Sequence, residues 1–314
     1  MRTFLDAFTT GLGRAGRAWR LVLLLWAVNL AVALPFAAAV AHELRGSLDR
    51  SRVHRDLLAG FDADWHGEFQ AHAGPLAKTF GPELIGAGAF FENLERWWQG
   101  DLVSLPPVLV GAAIVYAVIW AFLLGGVIER LGAGPYGAGA PGAAGFFGAC
   151  GRSFFRFLRL VLLSGVLYYL VYRLARAGFG WLADALRDVT AERTALAWTF
   201  LGLAVIVLLL TVIRVVFDYA KIAVVAEGRK SALGAAWRGL SFVASRPAGT
   251  LLLYGAVALA GLLLLALYAA VAPGPGHGTW IGVILAFLLG QLALATKLAL
   301  RLGLLGAETA YFRG

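Results

Sequence analysis

Cysteine is nearly absent: Cys150 is the single one in 314 residues, so the chain cannot close a disulfide on itself and must hold by packing alone. Charge is scarce too, at 14% of residues, where a soluble domain carries about a quarter. Lysine is scarcer still, because of 27 Lys+Arg only Lys78, Lys221, Lys230 and Lys297 are lysine. That arginine bias, together with 40 glycines, points to a GC-rich bacterial genome. What the chain has in excess is apolar surface. Hydrophobic residues make up 60% and the mean hydropathy is +0.78, which excludes an ordinary soluble enzyme.

The apolar residues fall in runs near the ~20 residues that cross ~30 Å of hydrocarbon. Six are expected to span: Leu21 to Ala41, Leu105 to Ile128, Leu160 to Tyr172, Ala195 to Ile213, Thr250 to Ala272, and Thr279 to Thr296. The third is short and reaches a full span only as Phe154 to Arg176, with Arg156, Arg159, Arg173 and Arg176 snorkelling to the two interfaces. Trp19, Trp181, Trp198, Trp237 and Trp280 sit at expected span ends, where amphipathic rings prefer to lie. Leu21 to Leu34 also looks like a signal-peptide core followed by a small-residue site at Ala39-Val40-Ala41. A leading stretch of 20 residues is long for that role, so an uncleaved first helix, kinked near Pro35, is expected instead.

Charge sets the orientation. One side of the six spans collects 17 of the basic residues and 5 acids, and the other 10 basic residues and 13 acids. The positive-inside rule then places both termini in the cytoplasm of a bacterial inner membrane. A pI of about 10.0 thus reports topology and contact with anionic lipid headgroups, and nucleic acid is not an expected partner.

Internal similarity suggests three related hairpins. Arg17-Ala-Trp-Arg-Leu-Val-Leu-Leu24 matches Arg156-Phe-Leu-Arg-Leu-Val-Leu-Leu163 at six of eight positions, and Ala121-Phe-Leu-Leu-Gly125 recurs as Ala286-Phe-Leu-Leu-Gly290. Amphipathic stretches precede spans: Phe4, Phe8, Leu12 and Trp19 share one helical face, and Leu233, Trp237, Leu240 and Ala244 form a stripe opposed by Lys230, Arg238 and Ser241. Such helices are expected to lie in the interface as elbows. The string Phe217-Asp-Tyr-Ala-Lys221, followed by Glu227-Gly-Arg-Lys230 and Trp237-Arg-Gly-Leu240, resembles the connection in uncharacterised bacterial six-helix membrane proteins. It is distantly similar to the membrane domain attached to some glycerophosphodiester phosphodiesterases. The resemblance covers spans four to six, lacks the catalytic domain, and implies a membrane fold without carrying an activity across.

Candidate chemistry is thin. Gly11-x-Gly13-x-x-Gly16, Gly132-x-Gly134-x-x-Gly137 and Gly137-x-Gly139-x-x-Gly142 match a dinucleotide pattern, but none follows a strand, and Leu131 to Gly148 reads as a flexible linker. The segment from His42 to Val103 holds ten of the 18 acids and His42, His54, His66 and His72, without the spacing of a metal site. Two apolar stripes there, Leu57, Leu58, Phe61, Trp65 and Phe69, then Phe90, Phe91, Leu94, Trp97 and Trp98, predict a small helical periplasmic insertion. Its acids Asp62, Asp64, Glu68, Glu92 and Glu95 solvate it, with a cation or a protein partner as the sharper alternative.

Polar groups inside or beside the spans are the candidate functional residues. Arg214, Asp218 and Lys221 stand at helical spacing i, i+4 and i+7; Glu129 and Glu308 lie at the ends of the second and sixth helices, where an arginine from a neighbouring unit should offset the helix dipole. Asn29 and Gln291 are expected to hydrogen-bond between helices, and Gly282, Ala286 and Gly290 to admit a close neighbour. The whole predicts an all-α six-span bundle with interfacial helices. It is read as a non-enzymatic component in transport or lipid handling, or alternatively as a scaffold that recruits a protein through the insertion. An intramembrane enzyme ranks last, since no nucleophile elbow, zinc helix or nucleotide loop is present and no cofactor is called for.

Overall fold

The computed structural model describes residues 4–49, 62–81, 107–132, 142–187, 191–272 and 279–314. Among these there are nine α-helices and no strand. They are α1 (Phe4–Arg17), α2 (Trp19–Leu48), α3 (Ala63–His72), α4 (Pro107–Gly132), α5 (Ala143–Ala185), α6 (Glu192–Ala226), α7 (Ala232–Ser245), α8 (Pro247–Val271) and α9 (Trp280–Arg313), with a single 3₁₀ turn at Ala77–Thr79. Six of them, α2, α4, α5, α6, α8 and α9, are long and apolar enough to cross a bilayer. Their middles expose large side chains, including Leu162, Leu174, Leu263 and Leu292, each 63–64% exposed. Such faces are stable against acyl chains and costly against water. The chain is an all-α, multi-pass membrane protein.

Local chemistry sets the helix ends. Pro107 and Pro247 occupy the first helical position, where a missing N–H costs nothing. Ser231 caps α7 by accepting the Gly234 N–H at 3.2 Å, and Asp62 caps α3 by accepting from Trp65 at 2.9 Å. Between α6 and α7 the chain turns through Gly228, the one residue among those described with a positive φ, at 67°. One non-helical residue, Ala18, separates α1 from α2.

Every expected span has its helix, but several helices overrun the apolar run. The expected short third span is part of the 43-residue α5, about 64 Å long at 1.5 Å per residue. Its first residues 143–148 fall where a flexible linker was expected. They are helical because Phe146 and Cys150 pack into Gly125 and Gly126 of α4; a Cβ on Gly126 would sit 2.7 Å from the Cys150 Sγ. Helix α2 runs unbroken through Pro35. Of the expected stripes after His42, the parts before Asp62 and from Phe90 to Trp98, with His54, Glu92 and Glu95, lie outside the described residues.

The chain divides into two units. One comprises Met1–Arg17, Ala117–Ala256 and Leu302–Gly314, and its core is built by close backbone approach. Gly239 of α7 lies against the Val216 carbonyl and Ala220 of α6, and Gly11 of α1 meets Gly303 and Ala307 of α9, where an added Cβ would come within 2.5 Å. The apolar stripes of α1 and α7 stay outward, as interfacial helices require, and other residues pack against protein. In α1 the buried residues are Ala7, Gly11 and Ala15, and in α7 they are Ala235, Gly239, Phe242 and Val243. Leu12 of the α1 stripe is 37% exposed, and Leu233 and Trp237 of the α7 stripe are 70% and 68% exposed. Small residues win the protein-facing side because only they let two backbones come this near.

The other unit comprises Ala18–Tyr116 and Val257–Arg301. Helix α2 is about 45 Å long over its 30 residues, some 15 Å more than the hydrocarbon needs. Onto its C-terminal turns, at Leu44 and Leu48, pack Trp65, Phe69 and Ala77 of a small lobe. The expected close neighbour of Gly282, Ala286 and Gly290 does not follow for Gly290, which among the described residues has only the Tyr268 hydroxyl near an added Cβ, at 3.7 Å. The repeated Ala-Phe-Leu-Leu-Gly string is also used differently in its two places: Leu123 is 5% exposed, whereas Leu288, at the same position of the string, is 57% exposed.

Candidate functional site

The first unit buries charge. Asp218 and Glu308 are 0% and 1% exposed, on α6 and α9, beside Thr309 and Tyr219 at 0%. An isolated carboxylate in such surroundings costs several kcal/mol, so partners must offset it. Lys221, one turn along α6, donates to Asp218 Oδ1 at 3.0 Å. Tyr219 lies within electrostatic reach of Glu308, Tyr311, Asp218 and Arg246, which draws both acids into one neighbourhood. Its hydroxyl is buried and makes no hydrogen bond among the described residues.

Aromatic rings wall this cluster. Tyr219 and Phe242 are 4.7 Å apart between centroids, Phe242 and Phe312 4.9 Å, and Tyr311 meets Phe242 edge-on at 5.9 Å. Two arginines close the wall by cation–π contact: Arg246 lies 5.1 Å from the Phe242 ring and Arg238 5.3 Å from that of Phe312. Arg238 also donates to Glu227 Oε1 at 2.9 Å, and Arg229 donates to the other oxygen of the same carboxylate. Burial works to raise the Glu227 pKa, but the hydrogen bonds and charge of Arg229 and Arg238 outweigh it and hold the carboxyl below its ordinary range. Glu227 thus clasps the turn between α6 and α7 from both sides.

A second feature of the same unit is an apolar groove of about 340 Å³ between α5 and α6. Leu174, Gly178 and Trp181 line it from α5, and Trp198, Gly202 and Leu209 from α6. Its walls are almost wholly carbon, with an exposed tryptophan on each helix. It can hold a hydrocarbon chain and offers little to a polar solute.

The seven candidate residues are distributed as follows. Asp218 and Lys221 pair, and Asp218 and Glu308 both lie near Tyr219. Arg214 extends over the Tyr254 ring of α8 at 5.7 Å. Glu129 takes Arg152 of α5 at 3.0 Å. Gln291 accepts from the Trp26 indole at 2.8 Å, joining α9 to α2. Asn29 departs from the interhelical bond expected of it, because its amide donates to the Leu25 carbonyl of its own helix at 2.7 Å.

Sequence reasoning passed over Tyr219, Phe242, Tyr311 and Arg246 as site residues. Tyr219 stands inside the Phe-Asp-Tyr-Ala-Lys string, and its place between two charged residues was the available signal. Among the described residues no group of three His, Cys, Asp or Glu converges to hold a metal ion. A scan of protein-family models and searches of the curated proteins and of the solved structures give no match.

Proposed function

We propose that this is a non-enzymatic lipid-handling protein of a bacterial inner membrane, with both termini in the cytoplasm. The observation that carries the reading is the apolar groove between α5 and α6, which is sized and lined for an acyl chain. The positive-inside charge distribution supports the orientation. The outward stripe of Leu233, Trp237 and Leu240 beside Arg229, Lys230 and Arg238 supports contact of α7 with anionic headgroups. Filling the groove tests the assignment. An added Cβ at Gly178 meets open space, so Gly178→Leu should leave folding intact. Native mass spectrometry of nanodisc-purified protein should find retained lipid in the wild type and about tenfold less in Gly178→Leu. Equal retention by the two proteins would remove the groove as the lipid site.

Coupled transport is the second reading, favoured by the burial of Asp218 and Glu308 around Tyr219. It predicts solute flux into proteoliposomes that Asp218→Asn abolishes. Flux equal to that of empty vesicles across lipid and ion panels counts against it.

A further inference from the structure

Helix α6 serves as a ruler for depth in the bilayer. Its 20 residues from Thr194 to Ile213, bracketed by Arg193 and Arg214, carry no charge and measure about 30 Å, the thickness of the hydrocarbon. The α6 wall of the groove, from Trp198 to Leu209, falls wholly inside that run, and the α5 wall beside it extends from Val171 to Leu182. Near the middle of the run an added Cβ on Gly202 would meet the Phe179 ring at 3.4 Å. The same stretch of α5 contains Arg173 and Arg176, which line no part of the groove. Two arginines therefore stand at hydrocarbon depth.

Snorkelling toward the interface at Trp181 is the escape expected of them, and the side chains run the other way. Arg173 donates to the Tyr169 hydroxyl at 3.4 Å and Arg176 to the Tyr172 hydroxyl at 3.3 Å, so each guanidinium turns back along α5, away from Trp181. Spacings of three and four residues put all four side chains on one face of the helix, where both arginines are exposed and Tyr169 is half exposed. Among the described residues no carboxylate pairs with Arg173 or Arg176, and the next acid along α5, Asp184, is taken by Arg187 at 2.9 Å. What this face still offers is donors: the unused guanidinium N–H groups and two phenol O–H groups. Two such charges in hydrocarbon are costly and call for an anion. A second copy of this chain has none to bring, because none of its six apolar runs contains an acid. The anion that a bilayer itself supplies is lipid phosphate, which local thinning brings down to a buried arginine.

We propose that Tyr169, Tyr172, Arg173 and Arg176 form a ladder on α5 that binds the phosphate of an anionic membrane lipid below the plane of the surrounding headgroups. The tyrosines hold the guanidiniums at depth, and the guanidiniums supply planar, charge-assisted hydrogen bonds to the phosphate oxygens. The ammonium of a zwitterionic headgroup would meet only donors and positive charge there, so phosphatidylglycerol is favoured over phosphatidylethanolamine. This site rests on the depth of α5 in the membrane and stands whether or not the groove holds an acyl chain.

The test is thermal unfolding of the full-length protein in neutral detergent, with phosphatidylglycerol or phosphatidylethanolamine of identical acyl chains added. Any chain held in the groove stabilises equally with either lipid, so the difference between the two melting temperatures reads the headgroup alone. Phosphatidylglycerol should raise the wild-type value by about 2–4 °C more than phosphatidylethanolamine does. The basic side of α7 keeps its own share of that preference. The double variant Arg173→Gln, Arg176→Gln should therefore lower the difference by at least half. Tyr169→Phe with Tyr172→Phe keeps both charges and the helix but frees the guanidiniums, and should lower it by a similar amount; a general attraction of surface charge would not respond to this change. Arg187→Gln, at the water-exposed end of α5, should leave it unchanged. No difference in the wild type, a smaller fall in either double variant, or an equal fall in Arg187→Gln overturns the proposal. A particle mass that halves in the arginine variant, measured by light scattering, would mean that a second copy covers this face, and overturns it as well.

Discussion

Helix α6 has two halves with opposite surroundings. From Glu192 to Arg214 no residue is buried, and Leu196, Phe200, Leu201, Val205 and Leu208 are each about half exposed. From Val215 to Val224 every residue except Lys221 is buried, although this stretch contains an aspartate, a tyrosine and a lysine. The more apolar half faces outward and the more polar half faces protein. In water the hydrophobic effect would reverse that arrangement, but lipid is as apolar as leucine and gives helices no such reason to associate. Association is instead driven by close packing and polar contacts, and both occur in the buried half of α6, where Ala220 lies against Gly239 and Asp218 pairs with Lys221.

The comparison breaks most readily at Asp218. Asp218→Ala leaves the Lys221 ammonium, only 16% exposed, without this partner, and removing one member of a buried pair costs about 3–5 kcal/mol. Leu208→Ala, in the outward half, should change stability by no more than about 0.5 kcal/mol. Denaturant unfolding in micelles of one detergent measures both. If the two substitutions cost the same, the inner half of α6 is not the stabilising one.

Gly239 comes next. An alanine there would place its Cβ 2.9 Å from the Ala220 nitrogen, and backbone cannot yield as a side-chain tip can. Overpacking of this kind costs about 1–3 kcal/mol. Gly165→Ala on α5, where an added Cβ meets nothing within 4 Å, should cost nothing. A lower melting temperature for Gly239→Ala alone confirms that contact between α6 and α7 depends on backbone proximity.

Much of this architecture could be read in the sequence, and the unread part has a physical cause. All six spans were legible because desolvating a charge in hydrocarbon forces long uncharged runs. Their lengths were not, since α5 and α9 continue as helix past the apolar run into protein-facing turns with ordinary composition. Amphipathic spacing marked the outward stripes of α1 and α7 but not the residues that pack against protein. It ranks residues by hydrophobicity, whereas Gly11 and Gly239 pack because they are small. Asp218 and Glu308 stood out as acids inside or beside the spans that need a charged partner, but Tyr219, Phe242 and Tyr311 look like any other aromatic residue in an apolar chain. Gln291 was read correctly as a polar contact point, and its partner Trp26 was not foreseen because indoles in spans are so often lipid anchors.

The clasp between α6 and α7 adds a pH-dependent increment. Arg229 and Arg238 hold the Glu227 pKa below its ordinary 4.5, so its contribution to stability is fully present above that value and is lost as pH falls through the depressed one. With the side chain 29% exposed, the pair is worth about 0.2–1 kcal/mol after solvent screening. Stability of the wild type should therefore decline below pH 4.5 more than that of Glu227→Gln, which is lower at neutral pH and flatter in acid. Parallel pH profiles for the two proteins would mean that the carboxylate does not hold the turn.

The smallest effect is expected in the second unit, where Trp26 donates to Gln291 at 2.8 Å between two spans. Gln291→Leu keeps the volume and removes the acceptor. In water an orphaned indole N–H would turn to solvent. In hydrocarbon it has no such option, which suggests a large penalty, yet the unfolded helices in the membrane also leave it in need of a partner. The two costs largely cancel, and hydrogen bonds between spans average about 0.6 kcal/mol for that reason. Gln291→Leu should lower stability by about that amount, several-fold less than Asp218→Ala. Trp26→Phe should cost a similar amount, and the double variant no more than the larger of the two, because the bond is lost only once. A penalty for Gln291→Leu as large as that for Asp218→Ala would show that polar contacts between spans hold this protein as firmly as its buried charges do.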